Sequence, residues 1–155
     1  MNIKILCLGK TKQKFVKEGI SEYEKRLSKY IKIDWMIIPD VKLCGSNDIN
    51  IIKEKEAERI LGNLSESAYI IALDENGKAL SSKKFAELFR KKFSFRKEII
   101  FVIGGVYGLS KRITSKADLV LSFSNFTFTH QIIRLLLTEQ IYRTFTIIKG
   151  KKYHY

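Results

Sequence analysis

Three clusters of residues in the last third of the chain combine types that can do chemistry. The first is Gly104, Gly105 and Gly108, directly after the apolar run at 99–103. Glycines at a strand end let the backbone approach a ligand closely, and α/β proteins bind ligands outside the carboxyl ends of their strands. The spacing is neither G-x-G-x-x-G nor G-x-x-x-x-G-K-[S/T], which excludes the usual dinucleotide and P-loop patterns. A tight strand-to-helix connection with no ligand is the competing reading. The second cluster is S-F-S-N-F-T-F-T at 122–129, with hydroxyls, an amide and three phenyl rings. Polar groups can bond the edge of a heterocycle while rings cover its face, which suits an adenine-containing ligand. A short strand with Phe123, Asn125 and Thr127 on one side fits the same residues.

The third cluster is His130, Arg134, Glu139 and Arg143 on an apolar helix, followed by the tail K-G-K-K-Y-H-Y with Tyr153 and His154. Glu139 and Arg143 stand four apart in the favourable order for a helical ion pair, either structural or functional. His130, Arg134 and Thr138 share another arc, and a histidine near a helix start is more often a bonded structural residue than a catalyst. The tail reads either as a frayed terminus or as a lid, since Lys and aromatic side chains grip phosphates and stack on splayed bases.

The elements that must position these clusters follow from the pattern. Residues 2–8 read as a strand ended by Gly9, and residues 11–30 as an amphipathic helix with a basic face. Residues 31–38 form a second strand stopped by Pro39, and 40–47 a polar loop. Asn47 or Asp48 caps a helix to Leu61, and 68–73 is a strand closed by the turn D-E-N-G. Ser81 or Ser82 caps a helix to Lys92, and short apolar strands follow at 99–103 and 119–121. Thr129 caps the last helix, which runs from 130 to about 149. Strands alternating with helices predict one α/β domain over 1–155, a mostly parallel sheet flanked by helices. The last helix is apolar around nearly its whole circumference, so it needs a second cover, and a two-fold homodimer is the simplest source.

Composition narrows the partners. The 155 residues carry 29 Lys plus Arg against 16 Asp plus Glu, a net charge of +13. An excess of that size captures polyanions, which favours nucleic acid over a merely solvated surface. No stretch has the length of a membrane span, and the opening residues are too short and strand-like for a signal segment, so a cytoplasmic protein is expected. Cys7 and Cys44 have no metal or C-x-x-C spacing and suit a reducing compartment; no metal site is expected.

Several of these stretches together resemble a known family. I-G-G-x-x-G, L-S-F-S-x-x-T-F-x-H-Q, R-x-x-L-x-E-Q-I-Y-R and G-x-x-Y-H are similar to the bacterial ribosomal RNA large subunit methyltransferase H family. So are I-x-x-L-G-K, E-Y-x-K-R-L-x-x-Y, I-P-D, I-x-x-K-E-A-E-R-I-L and L-D-x-x-G-K-x-L-S-S, and the resemblance spans essentially the whole chain. It implies a SPOUT-class fold with a C-terminal trefoil knot, which periodicity cannot show. It also implies methyl transfer from S-adenosyl-L-methionine to N3 of a pseudouridine in 23S rRNA within the ribosome.

Carried over by motif, the cofactor contacts fall on Leu73, Gly104, Gly105, Ser124, Asn125, Phe126, Thr127, Phe128 and Thr129. The family usually has Pro where this chain has Thr129, so the loop is expected to be retained but less rigid. Arg143, or Arg134, is suited to stabilise the imidate that forms when N3 loses its proton. His154, with His130 as rival, is suited to accept that proton, and Tyr153 to position the ring.

Three other readings stay in play: an RNA-binding module without catalysis, a SPOUT methyltransferase acting on tRNA, and a nucleotide-dependent oxidoreductase. The last lacks both the glycine spacing and an acidic residue placed for a ribose. Lys10, Lys12, Lys14 and Lys17 are the candidate phosphate contacts. Charge reversal at Lys14 and Lys17 should therefore weaken RNA binding and flatten its salt dependence, as filter binding across a salt series would measure.

Overall fold

Five strands pair in the order β2-β1-β4-β3-β5, every pairing parallel, in a computed structural model that describes residues 2–41, 48–95 and 98–155. Cys44 and Asn47, and with them most of the expected 40–47 loop, lie outside the described residues. The strands are β1 (Asn2–Leu8), β2 (Ile33–Ile38), β3 (Tyr69–Ala79), β4 (Glu98–Ile103) and β5 (Leu119–Ser122). Five helices alternate with them: α1 (Lys14–Leu27), α2 (Ile49–Leu61), α3 (Ser82–Phe95), α4 (Lys111–Lys116) and α5 (Ile132–Ile148). The α/β reading of the sequence is correct.

Period-two alternation sorts the strand residues between two cores. Ile3, Ile5, Cys7, Ile71, Ile99 and Phe101 face one side, where Phe85 and Phe89 of α3 and Leu137, Ile141 and Phe145 of α5 cover them. Leu6, Leu8, Ile70, Ala72, Ile100 and Val102 face the other, under Ala57 and Ile60 of α2 and Ile113 of α4. Both faces being covered explains why the central strand β4 is apolar and buried at every residue after Glu98.

Three differences from the sequence reading matter for the site. First, α1 begins at Lys14, so Lys10 and Lys12 lie in the β1–α1 connection and not on the helix. Second, D-E-N-G does not end β3. Asp74 accepts bonds from the backbone and side-chain nitrogens of Asn76 at 2.9 and 3.2 Å, the chain arches outward, and the strand resumes. Leu121 of β5 consequently pairs with both Leu73 and Lys78. Gly77 makes this possible, because a Cβ there would sit 2.8 Å from the backbone of Val120 and Leu121. Third, α4 is a helix of six residues, capped by the Ser110 hydroxyl, and too short for periodicity to reveal.

Part of the expected cover of α5 comes from within the chain. Helices α1 and α3 flank α5 within the chain. Phe145 stacks on Tyr30 at 5.9 Å and meets Phe89 and Phe93 at 6.5 and 6.3 Å, so aromatic rings grip the helix from both sides. Leu135 packs where a Cβ on Gly19 would lie only 2.8 Å away. What stays half-buried is an outer stripe of Ile133, Leu136, Gln140, Arg143 and Ile147. Replacing Gly77 with Ala should lower unfolding free energy by about 1–3 kcal/mol, because the added methyl meets backbone that must shift. Urea denaturation would show the drop.

Candidate active site

A cavity of about 790 Å³ opens at the carboxyl ends of β4 and β5, beside the arch in the middle of β3. Three loops line it: the Leu73–Asn76 arch, the glycine turn from Ile103 to Leu109, and the segment after β5 from Ser122 to Gln131, with Asn125 excepted. The glycine turn folds on itself. Gly105 accepts from the Gly108 amide at 3.2 Å, and a Cβ on Gly104 would lie 2.8 Å from the Gly108 carbonyl carbon. Only bare backbone lets the turn close this tightly beside the cavity.

The segment after β5 is held by its own hydroxyls, not by strand pairing. Ser122 donates to the Ser124 carbonyl at 2.9 Å, and the Ser124 hydroxyl accepts the Phe126 amide at 3.0 Å. Thr127 donates to the Glu75 carboxylate at 2.5 Å, tying this loop to the β3 arch. The Thr129 hydroxyl accepts the Ile132 amide at 3.2 Å, but α5 begins at Ile132 and not at the expected His130, with Gln131 at its N-cap position and no side-chain cap bond, so the threonine closes the turn that leads into the helix. Phe126 and Phe128 are exposed at the mouth with Val106 and Tyr107. Beside this cavity is a smaller one of about 380 Å³ behind Phe123 and Phe128, closed by Leu136 and Gln140 of α5.

The candidate residues thus separate into groups. Leu73, Gly104, Gly105, Ser124, Phe126, Thr127, Phe128 and Thr129 all line the cavity, together with His130. Asn125 does not, and is exposed. Sequence reasoning missed Asp74, Glu75, Gln13, Lys53 and Gln131, which also line it. Gln131 stands at the end of the F-x-H-Q motif, but that motif alone gives it no role. It is buried, accepts from the Lys12 amide at 2.9 Å and donates to the Lys10 carbonyl at 3.3 Å, so Lys10 and Lys12 flank the cavity on one side.

Arg134 is not at the site. It is wholly buried and donates to the carbonyls of Leu8 at 2.6 Å and Gly9 at 3.0 Å and to the Thr11 hydroxyl at 3.0 Å. Among the described residues no carboxylate forms an ion pair with it, and burial pulls its guanidinium below its usual range. Its role is to bind α5 to the end of β1. His130 keeps a position on the cavity, where burial first, then the positive charges of Arg134 and Lys12, hold its imidazole below the usual 6.5.

Arg143, Tyr153 and His154 form a cluster of their own. Glu139 accepts from Nε and Nη2 of Arg143 at 3.0 and 2.6 Å and from the Tyr153 hydroxyl at 3.2 Å. The guanidinium lies 4.7 Å over the Tyr153 ring, and Arg143 Nη1 is 3.4 Å from His154 Nδ1. The Tyr153 hydroxyl is also 3.4 Å from that of Tyr23. Burial, the Tyr23 contact and the Glu139 charge push the Tyr153 phenol well above its usual range, so it stays a donor. The tail is therefore docked on α5 and α1, not frayed. Arg143 stands about three helical turns, roughly 16 Å, from the cavity end of α5, and none of the three residues lines the cavity of its own chain.

A parallel sheet with its cavity built by three strand-end loops defines the class, and comparison with known proteins agrees. A family model described as "Predicted SPOUT methyltransferase" matches residues 1–154. Among solved structures, a probable methylase family protein from Haemophilus influenzae superposes with a TM-score of 0.57 at 15% identity, covering 99% of this chain and 70% of that one. The tRNA (m1G37) methyltransferase of Aquifex aeolicus gives 0.55 at 15% identity, covering 92% and 70%. Relatives called ribosomal RNA large subunit methyltransferase H are nearer in sequence. That of Flavobacterium johnsoniae is 48% identical over 156 residues, covering 100% of this chain and 99% of its own, and that of Caldicellulosiruptor saccharolyticus is 47% identical over 152 residues, covering 98% and 99%. The chain belongs to the ribosomal RNA large subunit methyltransferase H family of SPOUT methyltransferases.

Two outcomes follow from this geometry. Replacing Arg134 with Lys leaves buried carbonyls short of donors and should cost about 3 kcal/mol of unfolding free energy in urea. An NMR titration of the His130 ring should show a midpoint below 6.5, with the neutral form dominant at neutral pH.

Proposed function

We propose that this protein transfers the methyl group of S-adenosylmethionine to N3 of a pseudouridine in 23S rRNA within the ribosome, acting as a homodimer. The observation that carries the reading is the convergence of the three loops on one cavity, in a chain that matches the rRNA methyltransferase relatives over its full length. The lining fits the cofactor. Gly104 and Gly105 offer bare backbone, Ser124 and Thr127 offer hydroxyls beside the Leu73 strand end, and the phenyl rings of Phe123, Phe126 and Phe128 can cover an adenine face. When bound, the cofactor supplies an activated methyl on a positively charged sulfur, so no metal is required. The trefoil knot belongs to the same proposal.

The chain's own residues must orient the ring, remove the N3 proton and stabilise the imidate charge. Arg143 stays cationic, since its bonds to Glu139 raise its affinity for the proton further, and it suits the imidate oxygens. Tyr153, held protonated, suits positioning of the ring, while His154 beside Arg143 suits acceptance of the proton. These groups lie three helical turns from the cavity of their own chain. In a two-fold dimer built on the outer stripe of α5, the tail of one protomer reaches the cavity of its partner. Lys10, Lys12, Lys14 and Lys17, all exposed and the first two bonded through their backbone to Gln131 of the cavity wall, suit the phosphates of the substrate RNA.

A transfer RNA substrate is the second reading, favoured by the fold it shares with the tRNA (m1G37) methyltransferase. Labelled cofactor offered to 70S ribosomes, free subunits and tRNA, followed by nucleoside mapping, separates the two. Label in 3-methylpseudouridine of 23S rRNA is expected, and label confined to tRNA refutes the proposal. His154→Ala and Gly105→Trp should each lose activity, and mixing the two should restore about a quarter of it if sites are shared between protomers. No recovery, with dimers confirmed by light scattering, would place each tail at its own cavity.

A further inference from the structure

We propose that Glu56 selects for charge in the cofactor site: a carboxylate set behind Gly105 that favours the positively charged methyl donor over its neutral demethylated product. The inference rests on reading the cavity as the S-adenosylmethionine site. Glu56 lies on α2, is only 6% exposed, and its Oε2 is fully buried with no hydrogen-bond partner. A buried carboxylate oxygen with no hydrogen-bond partner among the described residues is costly, and an apolar residue of similar size in its place would be cheaper for the fold. Glu56 therefore calls for a reason other than stability.

Its position supplies one. The two carboxyl oxygens lie 3.1 and 3.4 Å from the point where a Gly105 Cβ would stand, while Gly105 itself lines the cavity. The glycine leaves nothing but backbone between the carboxylate and the bound ligand. Water is excluded on the Glu56 side, so the charge is screened less than one at the surface. The other charges near it are few. Asp40, at the end of β2, opposes ionisation, while Arg59 and Lys53 of α2 favour it, and Lys53 also lines the cavity. Burial first, then Asp40, raises the carboxyl above its ordinary range. A cation arriving in the cavity acts in the same direction as Lys53 and Arg59 and is itself held by the ionised form.

Methyl transfer breaks the bond from methyl carbon to sulfur, forms the bond from methyl carbon to N3, and releases the N3 proton to the base. The sulfur keeps the electron pair and becomes a neutral thioether. Donor and product are otherwise alike, so an attraction aimed at the sulfonium acts on one and not on the other. Product then leaves a site that still prefers fresh donor.

Isothermal titration of the full-length protein at mildly alkaline pH tests this with three probes. They are S-adenosylmethionine, S-adenosylhomocysteine, and sinefungin, which carries an ammonium in place of the methylated sulfur. Glu56→Gln should weaken the two cationic probes by about tenfold and change S-adenosylhomocysteine by less than about twofold. Glu56→Asp should retain most of the preference. Glu56→Leu should lose it while raising the urea midpoint, which keeps the test open if the glutamine variant folds poorly. Equal loss for all three probes, or no loss, overturns the inference. Absence of S-adenosylmethionine binding to the wild-type protein would instead overturn the cofactor reading beneath it.

Discussion

The guanidinium of Arg134 is the point on which the rest of the arrangement depends. It satisfies the carbonyls at the end of β1 from a position on α5 more than a hundred residues later in the chain. Gln131, one turn earlier, bonds the Lys10 and Lys12 backbone on the same side. Together they fix where the last helix begins. The third cavity loop, from Ser122 to Thr129, is thereby anchored at both ends: at one by β5, at the other by a buried cation with only neutral acceptors. With no acid to pair with, the arginine has one stable position, where its fork meets the strand-end carbonyls.

From that anchor the chain divides its labour between charge signs. Much of the excess of lysine and arginine lies on α3, where five basic residues stand against one acidic, and on the tail, as befits contact with a polyanion. Acids gather instead around the cavity: Asp74 and Glu75 on the β3 arch, and Glu56 beneath the glycine turn. A surface that is positive overall, with carboxylates at one cavity, can attract an anionic macromolecule and a cationic small molecule at different places.

Much of this was legible in the sequence, and the losses have physical reasons. The buried strands and long helices were readable because both sheet faces are covered and apolar runs are unbroken. The D-E-N-G turn was real, but the resumption of β3 after it depends on a close backbone approach at Gly77 that only tertiary structure shows. The apolar circumference of α5 correctly indicated cover on several faces, although aromatic residues of α1 and α3 supply most of it. Arg134 looked chemical because it sits among motif residues, and its distant carbonyl partners leave no local signal. Glu56 was readable and missed. It falls in a charged run, yet it stands four residues from both Ile52 and Ile60, on the inward stripe of α2.

The strand order has a consequence for how the molecule is made. β4 lies between β1 and β3, so Ile3 finds its neighbour Ile99 only after nearly a hundred residues have been synthesised. Until then the first strand has one paired edge and one open edge, with its apolar faces waiting for helices that come later still. Long sequence separation of this kind slows folding and prolongs exposure of strand edges. The central sheet therefore stays incomplete through most of synthesis and can close only in the last third of the chain's production.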